Sequence, residues 1–270
     1  MEEKDYAAPD FDILYRELGG LRGEFAVLYE ELEFINRVLI PRIQTNYLIK
    51  IGALRVELLL AQVNMMKARR MIALMRSAID KGGVLSPDAL DRRLEREFRE
   101  WDKRMAHEAA QIEGAKARFS SLSPSEEEND VRAIFRALCR KMNPDINPDQ
   151  SDEAKGFWPS VYSAYTSGDL FHLKALLMMS DDYPDSYDMP CNMGAMRENR
   201  AALKVKINMI EAQLQNAKQH PVFEWMSLLG DAERLGSEQN RLRSEIGRVK
   251  AQHSALLDMQ RSLEQRGARR

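Results

Sequence analysis

Apolar residues recur at alternating steps of three and four through most of this 270-residue chain. That spacing places the apolar side chains in one narrow stripe along an α-helix, and such a stripe is buried against a second helix of the same kind. The sequence therefore predicts an all-α fold, a long antiparallel coiled-coil or helical-bundle stalk. The runs with this spacing cover residues 11–39, 47–79, 203–217 and 228–263.

Proline and glycine mark where these helices bend or end. Pro41 lacks a backbone donor and clashes with the preceding turn, which predicts a kink near residue 41 rather than a reversal. Gly82 and Gly83 end the second helix, and Pro87 occupies the first position of a third. We expect a hairpin turn near residues 81–86, so that the second and third helices run antiparallel.

The middle of the chain has a different sequence pattern. Between residues 120 and 180 the helical runs shorten and the heptad spacing is lost, and residues 181–192 form an acidic, proline-containing linker. The predicted organisation is thus N-terminal long helices over 1–119, an inserted small domain over 120–180, and a C-terminal helical hairpin over 193–270. We expect this hairpin to pack with the N-terminal helices.

Composition argues against several classes of function. The net charge of −2 gives no electrostatic case for binding nucleic acid or an anionic membrane. No apolar run is long enough to span a bilayer, and the N-terminus lacks the pattern of a signal peptide. Cys139 and Cys191 have no metal-ligand spacing and predict no disulfide framework. We expect a soluble, cytoplasmic protein without metal, cofactor or catalytic activity.

A basic stripe stands out within the middle segment. Arg132, Arg136 and Arg140 follow one another at i,i+4 spacing on a predicted amphipathic helix, with Lys141 beside them. The flanking sequence is acidic on both sides. The stripe is interpreted either as an ordinary solvated helix face or as a docking surface for an acidic partner, which would govern orientation and association rate.

A proline-rich loop follows this helix. It reads Asn143-Pro144-Asp145-Ile146-Asn147-Pro148-Asp149, and each asparagine is pushed out of helical geometry by the proline after it. A second helix is predicted through residues 158–165, with its end at Gly168 and Asp169. Residues 170–179 then form a short closing helix.

This helix–loop–helix resembles a J-domain, the module of DnaJ-type co-chaperones. The resemblance rests on residues 122–128, on the basic helix 135–142, on Asn143-Pro144-Asp145 where the family has His-Pro-Asp, and on residues 158–165. It implies docking on a DnaK-type chaperone and promotion of its ATP hydrolysis. The docking residues that it implies are Arg132, Arg136, Arg140, Lys141, Asn143, Pro144 and Asp145.

The family's histidine is replaced by Asn143, which has no titratable ring nitrogen. Two functions therefore stay open. The protein is expected to be a co-chaperone or adaptor that docks on a DnaK-type chaperone, or else a non-activating coiled-coil scaffold whose J-like domain serves only protein–protein interaction. The client is not identified by the sequence, and a homodimer through the heptad seams is an alternative to a bundle within one chain.

Overall fold

A computed structural model describes residues 9–81, 87–119, 127–180 and 193–267. The regular structure over these ranges is helical throughout, without a strand, which confirms the all-α class. Most of the predicted turn near 81–86 and all of the predicted linker 181–192 lie outside the described residues. The helices are α1 (Pro9–Phe34), α2 (Ile40–Tyr47), α3 (Ala53–Asp80), α4 (Pro87–Phe119), α5 (Glu128–Met142), α6 (Asp152–Ser167), α7 (Leu170–Met179), α8 (Met193–Lys218), α9 (Val222–Gly230) and α10 (Ala232–Gly267).

The chain stays helical through Pro41. A π-helical segment, Ile35–Leu39, immediately precedes α2, and the amide of Ile40 donates to the carbonyl of Ile35. A wider π turn just before a proline offers room for the pyrrolidine ring and tolerates its missing donor. A second π-helical segment, Leu48–Gly52, joins α2 to α3. Helical hydrogen bonding therefore continues where the sequence predicts a kink.

The chain divides into two compact units. The first unit comprises residues 1–41 and 123–223, and the second comprises 42–122 and 224–270. These boundaries differ from the predicted ones, because the segment 120–180 falls almost entirely inside a larger unit that also contains α1 and α8. The predicted C-terminal hairpin is divided as well, since α8 belongs to the first unit and α10 to the second.

In the first unit, α1 packs against α8 and α5. Ion pairs of 2.9 Å between Glu17 and Arg200 and of 2.8 Å between Glu31 and Lys218 show that α1 and α8 run parallel. The antiparallel stalk predicted from the heptads does not describe this pair. Residues 35–192 separate the two helices, a segment long enough to return the chain before α8 begins.

Helices α5, α6 and α7 share one apolar core. The ring of Phe135 lies 3.8 Å from that of Tyr165, centroid to centroid, and 5.7 Å from that of Trp158. Gly168 ends α6 in the left-handed conformation, with φ of 69°, and the side chain of Asp169 caps α7. The predicted helix boundaries at Asn143 and Gly168 are confirmed.

The second unit is built on α3. Hydrogen-bonded ion pairs from Arg70 to Glu97 and from Lys67 to Asp102 establish that α3 and α4 are antiparallel, as predicted. Helix α10 packs on α3 and runs parallel to it, since Glu57 pairs with Lys250 and Arg76 contacts Met259. At the N-terminal end of this pair, the rings of Tyr47 and Trp225 stack with centroids 4.2 Å apart.

Candidate protein-interaction site

Helix α5 carries four of the seven predicted docking residues, and these lie in different environments. Its apolar positions, Val131, Phe135, Leu138 and Met142, are buried in the core shared with α6 and α7. Arg132 and Arg136 lie beside this core and are only partly exposed, whereas Arg140 is exposed. The basic stripe is therefore not one continuous solvated face.

Arg132 is bound inside the first unit by an acidic residue of α1. Its Nε donates to Oε1 of Glu30 at 2.6 Å, and its Nη2 donates to Oε2 at 3.2 Å. The guanidinium also lies 3.9 Å from the ring centroid of Phe34. The hydrogen bond that Arg132 donates to Glu30 raises the pKa of Arg132, so this side chain stays charged.

Glu30 is the centre of this cluster. Its side chain is 1% exposed, and it accepts a third hydrogen bond, of 3.2 Å, from the hydroxyl of Tyr165. Arg136 lies 3.9 Å from the same carboxylate. Burial raises the pKa of Tyr165, which keeps its hydroxyl protonated and able to donate. A buried carboxylate needs such partners, because its desolvation is costly when they are missing.

The loop 143–149, here called the Asn143 loop, is hydrogen-bonded to the end of α5. Asn143 is 0% exposed, and its side-chain oxygen accepts from the amide of Asp145 at 2.9 Å. Its amide nitrogen contacts Sγ of Cys139 at 3.4 Å. Asn147 is also buried and donates to the carbonyls of Arg140 and Asn143. Asn147 thus satisfies carbonyls at the helix C-terminus, and Asn143 fixes the turn that follows, so both asparagines have structural roles.

Helices α1 and α8 reach the same loop from outside it. The guanidinium Nε of Arg22 donates to the carbonyl of Ile146 at 3.1 Å, in a buried hydrogen bond. Lys206 of α8 donates to the carbonyl of Asp145, and its Nζ lies 3.7 Å from the carboxylate of that residue. The loop is thus held by three helices of the first unit.

The remaining predicted residues stay nearer the solvent. Arg140 is exposed, the side chain of Asp145 is 66% exposed, and Lys141 and Pro144 are partly buried. The structure therefore separates the seven predicted docking residues. Arg132, Arg136 and Asn143 are engaged within the unit, and Asp145 is engaged by Lys206 although its side chain is largely exposed. Arg140, Lys141 and Pro144 lie at or near the surface.

Sequence reasoning missed the contribution of α1. Arg22, Tyr29, Glu30 and Glu33 contact the α5–α6 region, and Glu33 accepts from the hydroxyl of Tyr162 at 2.7 Å. These residues lie on a face of α1 beside its heptad seam. The small apolar Ala26, which is buried between them, is the one signal of a second packed face.

No protein-family model, curated protein or solved structure matches this chain. Within the described residues, no three His, Cys, Asp or Glu side chains are grouped so as to hold a metal ion. The described helices also include none with the length and apolar character needed to cross a membrane. The burial of Cys139 raises the pKa of its thiol to about 12, so the thiol is neutral near pH 7.

Proposed function

We propose that this protein is a helical scaffold or adaptor whose J-like segment, residues 127–180, serves protein–protein contacts without activating a DnaK-type chaperone. The observation that carries this proposal is the bidentate pair between Arg132 and the buried Glu30. An arginine that is already paired and partly desolvated must give up that pair before it can bind an external carboxylate. A docking helix whose arginine had no partner within the protein would lose no such pair on binding.

The loop supports the same proposal. Asn143 occupies the position of the histidine in the J-domain pattern, and its side chain is completely buried and hydrogen-bonded within the loop. A buried side chain cannot contact a partner unless the loop opens. The contacts of Arg22 and Lys206 with the loop oppose such opening.

The test is the rate of ATP hydrolysis by a DnaK-type chaperone with and without this protein. We expect no stimulation by the wild-type chain, and none by Asn143→His, because residue 143 is inaccessible. A J-domain protein active on the same chaperone serves as the positive control. Stimulation by the wild-type chain that Asp145→Asn abolishes would overturn the proposal.

A second candidate function is docking on the chaperone without the family's usual use of Arg132. It is favoured by the exposure of Arg140 and of the Asp145 carboxylate, which lie at opposite ends of the short stretch 140–145. The test is direct binding of the intact protein to the chaperone, followed by fluorescence anisotropy. Binding weakened by Arg140→Glu, and unchanged by Arg104→Glu on α4, would support it; equal binding of the wild type and Arg140→Glu would exclude it.

A further inference from the structure

The two compact units carry opposite charge. The first unit contains 15 Lys and Arg residues against 25 Asp and Glu residues, a net charge of −10. The second contains 25 basic against 17 acidic residues, a net charge of +8. The total of −2 therefore conceals two strong, opposite fields, each of which attracts a surface of the other sign.

The exposed face of α4 concentrates the positive charge in a regular stripe. Arg92, Arg96, Arg99 and Lys103 are all exposed and follow one another at steps of four, three and four residues. Alanines 106 and 110 extend the same line. In the described part of the chain, Arg92, Arg96 and Arg99 form no ion pair. We call this line the α4 stripe; its spacing is that of a coiled-coil seam.

Helix α1 has an exposed stripe of matching period and opposite charge. It borders the face of α1 that packs on α8, since Glu17 and Glu31 pair with Arg200 and Lys218 of that helix. Ile13 and Val27 within it are 59% and 48% exposed. Asp10 and Glu24 in this stripe form no ion pair with a described residue. The α1 stripe consists of Asp10, Ile13, Glu17, Gly20, Glu24, Val27 and Glu31, at strictly alternating steps of three and four.

We propose that the α1 stripe of one copy docks on the α4 stripe of a second copy. The acidic residues of α1 recur every seven residues, as do the pairs Arg92 and Arg99, and Arg96 and Lys103. Seven residues span about 10.5 Å on an α-helix, so carboxylates and guanidinium groups meet in register. Glu17 and Glu31 pair with Arg200 and Lys218 within the chain, but their side chains are 44% and 36% exposed, which leaves room for a second cation. The aliphatic parts of the arginine side chains cover Ile13 and Val27. Gly20 leaves open space, since nothing lies within 4 Å of a Cβ placed there.

This interface is rich in charge and poor in apolar area, so its stability depends on salt. Exposed charges are strongly screened above about 0.1 M ionic strength. Sedimentation equilibrium of the full chain is therefore expected to show self-association at about 0.05 M salt and dissociation at about 0.5 M.

Charge reversal tests the two stripes separately. The double variant Arg96→Glu, Arg99→Glu and the single variant Glu24→Arg should each weaken self-association at least about tenfold. A mixture of the two variants should associate again, because the reversed charges meet across the interface. Arg104→Glu and Asp12→Arg, which change equivalent charges on other faces of the same helices, should behave like the wild type.

Three outcomes overturn the proposal. The wild-type chain stays monomeric at low salt, or self-association is unchanged in both charge-reversal variants, or the mixture of the two variants does not associate. An anisotropy titration with a labelled oligonucleotide tests another occupant. If the monomer binds it and the Arg96→Glu, Arg99→Glu variant does not, the α4 stripe serves a nucleic acid instead. Circular dichroism of each variant excludes loss of folding as the cause.

Discussion

A buried carboxylate destabilises a fold unless cations and hydrogen-bond donors surround it. Glu30 meets this requirement through Arg132 and Tyr165, and so couples α1 to α5 and α6. We predict that Glu30→Gln lowers the free energy of unfolding by about 2–4 kcal/mol, because it leaves Arg132 without its counter-charge. Chemical denaturation followed by circular dichroism measures this change.

Glu31→Gln is the matched control for that substitution. Glu31 is the next residue of α1, but its ion pair with Lys218 lies at the surface. Surface pairs contribute little, so we expect a change below about 1 kcal/mol. Equal effects of the two substitutions would show that the Glu30 cluster is not the stabilising contact inferred here.

Two buried groups, Tyr165 and Cys139, and the partly buried Tyr29 make the fold sensitive to alkali. Burial raises the pKa of Tyr29 and Tyr165, and it raises the pKa of Cys139 to about 12. A raised pKa means that the folded state favours the protonated form. The contribution of these three groups to the free energy of unfolding should therefore be constant below about pH 8 and fall as the pH rises through the unfolded pKa values, about 8.5 for cysteine and 10 for tyrosine.

Urea denaturation between about pH 8 and pH 11 checks the alkaline loss of stability. The variant Cys139→Ala removes one of the three groups, so its unfolding free energy should fall less steeply with pH, whatever its value at neutral pH. An unfolding free energy that does not change over this range would contradict the burial of these side chains.

At the scale of the helices, the same substitution should have opposite effects at two glycines. Gly20 lies within α1 in ordinary helical geometry with open space around it, so Gly20→Ala should stabilise the fold by about 0.5–1 kcal/mol. Gly168 has a φ of +69° at the end of α6, so Gly168→Ala should destabilise it by about 1 kcal/mol.

Thermal denaturation at low protein concentration and high salt compares both variants with the wild type, without a contribution from self-association. A stabilising effect of Gly168→Ala would contradict the left-handed end of α6. A loss of stability with Gly20→Ala would show that α1 is not helical at that position.

The helices themselves were largely predictable from the sequence. Heptad spacing identifies α3, α8 and α10, and the Asn143-Pro144 pair predicts where α5 ends. Such local rules depend only on neighbouring residues. The two π segments on either side of α2 were not predicted, since they have no clear signature in the sequence.

The partners of the helices were less predictable. A heptad indicates that a helix packs, but not on which neighbour or in which direction, and α1 and α8 run parallel. The residues of the candidate site could not be paired from the sequence for the same reason. The spacing of Arg132, Arg136 and Arg140 was clear, but Glu30 lies 102 residues from Arg132, and only the tertiary fold brings them together.

In the whole molecule, residues 127–180 are an integral part of the first unit. The core of this segment includes Tyr29 of α1, and its loop is held by Arg22 and Lys206 from outside the segment. An independent inserted domain, as the sequence alone suggests, would need none of these contacts. The two descriptions make opposite predictions about an isolated fragment.

The most direct test is a thermal melt, followed by circular dichroism, of a fragment comprising residues 120–180, with the intact chain measured under the same conditions. We predict weak helicity and no cooperative transition for the fragment, because α1 and α8 are missing. A cooperative transition with a midpoint close to that of the first unit in the intact chain would contradict the claim that α1 completes this fold.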